Sequence, residues 1–373
     1  MERISVSSEK DVVDAVCATR ESKRTLEIVG AGTKRGYGRP VVCDDVLELS
    51  GLCGMVKYEP GELVITALAG TPVTEIEAAL AEKNQRLGFE PADWGPLFGA
   101  PANCATIGGA LAADTSGSAA VKFGRARDHL LGFRAVNGLG EAYKAGGRVV
   151  KNVTGFDLPK LMCGAMGTLG PMTEVTLRVF PRASHATIIA FDDLSAKAGL
   201  ALLRRVWSSP LEATGLAFHN NSAFVRLEGS RLALDEKVAM LRGLSDHGPR
   251  LVSEDDEPFR VIASGRIADV SQRALWRVHL PPANAIGLLS EVEAKTWCAD
   301  RAGGLLWIAC DDSYDMHSLA RRFDAHSTLI RGCPGTNSPF EPEDRARTEL
   351  TKSVKGAFDP LRIFNPGRMW EGV

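Results

Sequence analysis

The chain has 373 residues, 45% apolar and 24% charged, with a formal net charge of -2. That length points to two or three domains with a sizeable core, and the near-neutral charge gives no electrostatic footprint for nucleic acid. No apolar run approaches the roughly 18 residues of a membrane span, and the polar opening MERISVSSEK has no apolar stretch of the secretory kind, so the expected location is the cytoplasm.

Ser8 to about Arg20 reads as a helix: Ser8 can cap it, Asp11 suits the first turn, and Val12, Val13 and Val16 share a face. TLEIVG is a strand that delivers the chain to the loop in IVGAGTKRGYGRP, with glycines at Gly30, Gly32, Gly36 and Gly38. A dinucleotide fingerprint would open from here straight into a helix. Instead Arg35 stands in the place of the third glycine, and Gly-Tyr-Gly-Arg-Pro follows, which cannot start a helix cleanly. A phosphate held here is not held in the Rossmann manner.

VLEL, MVKYE and LVITALAG read as short strands. Thr71-Pro72 opens a helix to about Lys83, with the Thr71 hydroxyl as N-cap, proline first, and Ile76, Ala79 and Leu80 inward. From Gly99 to Ala120 the chain is dense in Gly, Ala, Ser and Thr. LLGFRAVNGLGEAYKAG then reads as strand, glycine-containing turn and strand. Asp157 caps a short helix through Cys163, the glycines Gly164, Gly167 and Gly170 punctuate a loop, and MTEVTLRVF alternates as a half-buried strand.

The texture changes after Pro181-Arg182, which divides the chain into 1–182, 183–335 and a tail 336–373. The second part reads strand (186–191), helix (194–207), strands (214–218 and 222–228) and helix (231–245). It continues with strand ALWRVHL, a helix from about Ala283 to Cys298, strand GLLWIACD, a helix from about Tyr314 to Ala325, and strand STLIRG. This is an α+β domain of two halves alike in element order, expected to form an antiparallel sheet with helices on one face. A polar helix, about Pro342 to Gly356, and the tail AFDPLRIFNPGRMW close the chain.

Eight scattered cysteines include no C-x-x-C, and no H-x-H or H-E-x-x-H occurs, so no metal or iron–sulfur site is expected. The low-bulk loops at 30–38 and 106–117, with a third at Gly164–Gly170, let backbone approach a ligand and turn N–H groups on it; two such loops can hold a pyrophosphate. Tight turns between strands are the other reading. Lys34 and Arg35 are pyrophosphate counter-charges or solvated loop charges, and Arg125 and Arg127 face a nucleotide or make surface ion pairs. The acidic run SEDDEP reads as a solvated loop, and Trp276, Trp297 and Trp307 as core or interface.

IVGAGTKRGYG, ATIGGALAADTSG, KFGRARDHLLGFRAVNGLGE and KNVTGFDLPKLMCGAMGTLGPMTEVTLRV resemble, in order and spacing, the FAD-binding domain of the vanillyl-alcohol oxidase/p-cresol methylhydroxylase superfamily. FDPLRIFNPGRMW resembles its closing D-P-x-x-x-x-N-P-G-[KR] segment. Within it, the likeness over nearly the whole chain is to the FAD-binding (E) subunits of bacterial glycolate oxidases. The resemblance implies a two-part FAD-binding domain plus an α+β second domain, with FAD between them. It implies a first pyrophosphate loop of Gly30, Ala31, Gly32, Thr33, Lys34, Arg35 and Gly36. The second would be Thr106, Ile107, Gly108 and Gly109 with Thr115, Ser116 and Gly117, followed by Gly124, Arg127 and Asp128. Gly155, Gly167, Thr168 and Gly170 would lie along the FAD, with Asn365 and Arg368 returning to the flavin end. The first loop offers neither His nor Cys as a tether, which implies non-covalent FAD, although Cys104 stands near the second loop.

Two departures stand out. Catalytic relatives carry Glu in G-x-E-G-T-L-G where this chain has Met166, and their later histidine-rich segment has no counterpart here. A base near the flavin normally removes the hydroxyl proton as hydride leaves. His219, His279, His317 and His326 are candidates by residue type only. The resemblance therefore implies a relay or supporting subunit, joined to a catalytic flavoprotein subunit and an iron–sulfur subunit acting on glycolate or a similar 2-hydroxyacid, and reaching the inner face of the plasma membrane through those partners. A stand-alone FAD oxidoreductase of hydroxyacids or alcohols and a scaffold that has lost FAD are the alternatives.

Overall fold

The computed structural model describes residues 1–148, 156–252, 258–267, 274–332 and 337–371. The chain forms two compact units. One comprises residues 1–115, 125–181 and 342–373; the other comprises 116–124 and 182–341. Against the expected division, the short segment 116–124 groups with the second unit. Its ties there are specific: Ser118 Oγ donates to Asp300 Oδ2 at 2.9 Å, and Arg301 donates to the carbonyls of Ser116 and Gly117 at 3.0 and 3.2 Å.

In the first unit, Ser8 caps the helix Glu9–Ser22 as its sequence indicates. Its hydroxyl accepts from Asp11 N while the Asp11 carboxylate accepts from Ser8 N, the reciprocal pairing of a capping box. The helix buries Val12, Ala15, Val16 and Thr19. The strand Leu26–Val29 pairs in parallel with Asp45–Glu48, which pairs in parallel with Glu2–Ser5. That last strand escaped the sequence reading because four mostly exposed residues carry little pattern. A five-stranded antiparallel sheet follows the order Met55–Glu59, Val64–Leu68, Met172–Arg178, Leu130–Val136, Ala142–Gly146. Its core includes Ile65, Val175, Leu177 and Phe133 with the helical Ile76, Leu80, Ile107 and Leu111.

One cap was misread. The helix Val73–Ala81 is preceded by Pro72 without a side-chain cap. The Thr71 hydroxyl instead donates to Leu68 O at 2.7 Å and accepts from Gly54 N at 2.9 Å, so it ties two turns together. Asp157 does cap Leu158–Met162 through Lys160 N.

The second unit is an eight-stranded antiparallel sheet. Its order is Arg250–Leu251, His185–Phe191, Ser222–Gly229, Gly215–His219, Thr296–Asp300, Leu305–Cys310, Ala274–His279, His326–Arg331. The expected helix to Cys298 is corrected here: the helix is Ala285–Glu291, and Thr296–Asp300 is a strand. With that strand and the two-residue strand Arg250–Leu251, which the sequence also did not announce, the two halves are equivalent. Counted from the outer edge inward, each half places its strands as fourth, first, third and second in chain order. The halves meet where Phe218 pairs with Ala299. Helices Ala196–Trp207, Arg231–Arg242, Ala285–Glu291 and Met316–Arg322 contribute Leu203, Leu241, Leu288 and Leu319 to one core with strand residues Leu216, Val278 and Ile308. The short helix Pro258–Ala263 adds an element the sequence did not announce.

Candidate functional site

The first unit contains an open cleft with about 110 Å³ of space for water-sized groups. The parallel strand Leu26–Val29 ends at its wall, and the glycine loop that follows forms one side: Gly30, Ala31, Gly32, Thr33, Lys34, Arg35 and Tyr37. Thr106, Gly108 and Gly109 form a second side. Ala165, Met166, Gly167, Gly170 and Met172 form a third, and Asn365 and Arg368 arrive from the C-terminal tail.

The two glycine-rich loops play different parts. In the first, the N–H groups of Gly30 to Lys34 donate to no group among the described residues. They are available to an anion. In the second, Ile107 N donates to Thr71 O at 2.9 Å, Gly108 N to Ala69 O at 2.8 Å, and Gly109 N to Thr106 Oγ1 at 3.2 Å. Its amides are spent inside the fold, so it offers a close, low-bulk wall and not N–H donors. The walls meet tightly: a Cβ on Gly30 would run into the Thr106 hydroxyl.

The tail is clamped to the strand ahead of the first loop and to the Gly164–Gly170 loop. Asn365 Oδ1 accepts from Ile28 N at 2.7 Å, Asn365 Nδ2 donates to Met166 O at 2.6 Å, and Asn365 N donates to Leu26 O at 2.9 Å. Gly167 has φ of +73°, and a Cβ there would lie 2.7 Å from Asn365 Nδ2, so glycine is required twice over. Beneath the clamp, the buried Lys355 ammonium donates to Thr168 O at 2.6 Å and to Asp359 Oδ2 and Phe364 O at 2.8 Å. Burial lowers its pKa against the pull of Asp359. Asp359 also accepts from Ile363 N and Phe364 N.

Charge at the cavity is one-sided. The Arg35 guanidinium is held by two bonds to the buried Glu27 carboxylate, so it is not a free counter-charge. Arg368 lies 3.9 Å from the same carboxylate and donates to Lys34 O at 3.3 Å, while its buried Nε has no partner among the described residues. The Lys34 ammonium makes one hydrogen bond among the described residues, to Thr33 Oγ1 at 3.3 Å, and burial lowers its pKa to about 8 against the opposing field of Asp93. No His, Asp or Glu lines the cavity among the described residues.

Several expected contacts lie elsewhere. Gly36, Ile107, Thr115, Thr168, Arg127 and Asp128 belong to the first unit but not to the cavity lining. Thr168 acts through its carbonyl on Lys355, and Asp128 accepts from Arg125 N at 2.9 Å. Arg125 pairs with Asp114, the ion-pair alternative. Ser116, Gly117 and Gly124 belong to the second unit, and Gly155 lies outside the described residues. Of the histidines, His317 is a satisfied core residue, 2.7 Å from Ser327 Oγ and 2.9 Å from Ser338 O, and His326 is exposed beside Glu341. His219 is half-buried, and burial lowers its pKa. Tyr37, Glu27, Met162 and Met172 were missed; the first sits in a loop read for its glycines, its two cations and the absence of a tether, and the others are ordinary strand or helix residues in sequence.

The residues fit FAD. Free backbone donors, a cation without an ion-pair partner and an orphaned guanidinium nitrogen line a cavity otherwise walled by small and apolar residues, as an anionic dinucleotide with a flat ring system requires.

A family model described as an FAD binding domain matches residues 3–146. The glycolate oxidase subunit GlcE of Escherichia coli (strain K12) is 32% identical over 351 residues, covering 93% of each chain. The mitochondrial D-lactate dehydrogenase [cytochrome] 1 of Saccharomyces cerevisiae is 27% identical over 378 residues, covering 85% of this chain and 62% of that one. Among solved structures, 4-ethylphenol oxidase from Gulosibacter chungangensis shares the fold, with a TM-score of 0.72 over 99% of this chain and 89% of that one at 12% identity.

Proposed function

We propose, from the premise that the chain belongs to the family of the FAD-binding glycolate oxidase subunit GlcE, that it is the FAD-binding subunit of a multi-subunit glycolate, or 2-hydroxyacid, oxidase. Bound FAD supplies a two-electron carrier. The chain's own residues would bind and orient it: Gly30 to Lys34 at the pyrophosphate, Thr106, Gly108 and Gly109 as the opposing wall, and Gly167, Gly170, Asn365 and Arg368 along its length. No side chain of the described residues offers a covalent tether from the first loop.

The observation that carries the subunit reading is Met166. It stands where catalytic relatives place Glu, its φ is +51°, and its carbonyl is held by Asn365. No His, Asp or Glu stands on the described lining to take the substrate hydroxyl proton, and the titrating amine there, Lys34, belongs to the loop assigned to the pyrophosphate. Substrate oxidation then belongs to a catalytic flavoprotein subunit, and this chain relays electrons toward an iron–sulfur subunit or supports the assembly. The complex would work in the cytoplasm, meeting the plasma membrane through its partners; no helix of the described residues is long and apolar enough to cross a membrane.

The test is turnover of glycolate and D-lactate with an artificial electron acceptor, by the chain alone and by the chain co-purified with its partners. Activity only in the complex is expected. Sustained turnover by the isolated chain overturns the relay reading and favours a stand-alone oxidoreductase.

A further inference from the structure

We propose that Lys34 is the counter-charge of the cofactor's pyrophosphate and that FAD binding takes up a proton at its ammonium. The inference rests on the FAD-binding reading above and goes beyond it, because it names which of three adjacent cations responds and makes binding depend on pH.

Three cations stand at the loop end of the cavity. Arg35 is engaged in two bonds by Glu27, and Arg368 shares that carboxylate and is fixed to Lys34 O. Both stay charged at any working pH. Lys34 differs. It lines the cavity, its ammonium has only the Thr33 hydroxyl as partner, and no carboxylate lies within ion-pair distance of it among the described residues. Desolvation without a charged partner disfavours the charged form, in keeping with its lowered pKa of about 8.

The charged groups around Lys34 are few. Asp93 supplies a favourable field but is committed to Gly95 N and Asn103 N. Glu27 faces Arg35 and Arg368, whose charges offset it, and Tyr37 donates its N–H to Lys34 O. A pyrophosphate at the free N–H groups of Gly30 to Lys34 would bring two negative charges to the ammonium. The ammonium pKa must then rise on binding, and a rise means proton uptake from solution at any pH near or above the unbound value.

At pH 7 Lys34 is mostly charged before FAD arrives, and little proton is taken up. At pH 8 uptake should be about half a proton per FAD, and affinity should fall about tenfold between pH 7 and pH 9. The experiment is titration calorimetry of the FAD-free full chain with FAD, at pH 7, 8 and 9, in two buffers of different ionisation enthalpy.

In K34M the uptake at pH 8 and the affinity loss from pH 7 to pH 9 should both vanish. In K34R affinity at pH 7 should stay within about threefold and no longer fall to pH 9, because guanidinium does not titrate there. Uptake that persists in K34M overturns the proposal and leaves the FAD reading standing. Failure of the wild-type chain to bind FAD at any of the three pH values overturns both.

Discussion

Asn365 and Lys355 show how single residues set the cavity. Each satisfies backbone groups of a segment far away in sequence: Asn365 reaches Ile28, 337 positions away, and Lys355 reaches Thr168, 187 positions away. The closing segment was legible as a motif, and Asn365 and Arg368 were expected at the flavin end. Their clamping role was not legible, because it depends on which carbonyl lies opposite. Lys355 was one cation in a polar helix until its three acceptors appeared. Replacing it with methionine, K355M, leaves the buried Asp359 carboxylate unpaired and two carbonyls unbonded. The expected cost is about 3–5 kcal/mol in urea unfolding; a cost below about 1 kcal/mol would contradict the buried pair. N365D keeps the bond from Ile28 N and loses the donor to Met166 O. It should destabilise by about 1–3 kcal/mol in the same assay. G30A places a methyl group against the Thr106 hydroxyl, and retained FAD binding at wild-type strength would show that the two walls do not meet as described.

Secondary elements were readable where a cap or an alternating pattern announced them, and misread where only tertiary pairing decides. Ser8, Asp157, Ser195 and Ser230 each accept from the N–H three residues on, a local rule visible in sequence. Thr296–Asp300 follows Glu-Val-Glu-Ala-Lys, good helix formers, and becomes a strand because Leu305–Cys310 and Gly215–His219 need a partner between them. The helix Glu9–Ser22 meets the five-stranded sheet through Glu9, whose carboxylate holds Arg134 and accepts from Thr173 Oγ1 at 2.7 Å. The Arg134 hydrogen bond, more than Thr173, lowers the Glu9 pKa from its ordinary value of 4.5, despite burial. A depressed carboxylate contributes stability that is complete above its unfolded value and lost as pH falls through the folded one. Thermal unfolding from pH 6 to pH 3 should therefore show a steeper acid-side loss in the native chain than in R134M. Parallel curves would remove this tether from the account.

At the scale of the whole chain, element order alone suggested two like halves in the second part, and the sheet order bears that out once the two missing strands, Arg250–Leu251 and Thr296–Asp300, are counted. The grouping of 116–124 with the second unit was not legible, because its Gly-, Ala- and Ser-rich sequence continues that of the preceding loop without a break. The cavity's composition joins these scales: backbone donors and cations on the first loop, Met166 on the third wall, and no described acid or histidine on the lining. The central claim is a flavin site that needs a partner to receive electrons. It is tested most directly by recording the visible spectrum of the purified chain with FAD and then adding glycolate without oxygen. The expected result is a bound flavin spectrum that glycolate leaves unchanged and that a chemical reductant bleaches. Bleaching by glycolate in the isolated chain would contradict it.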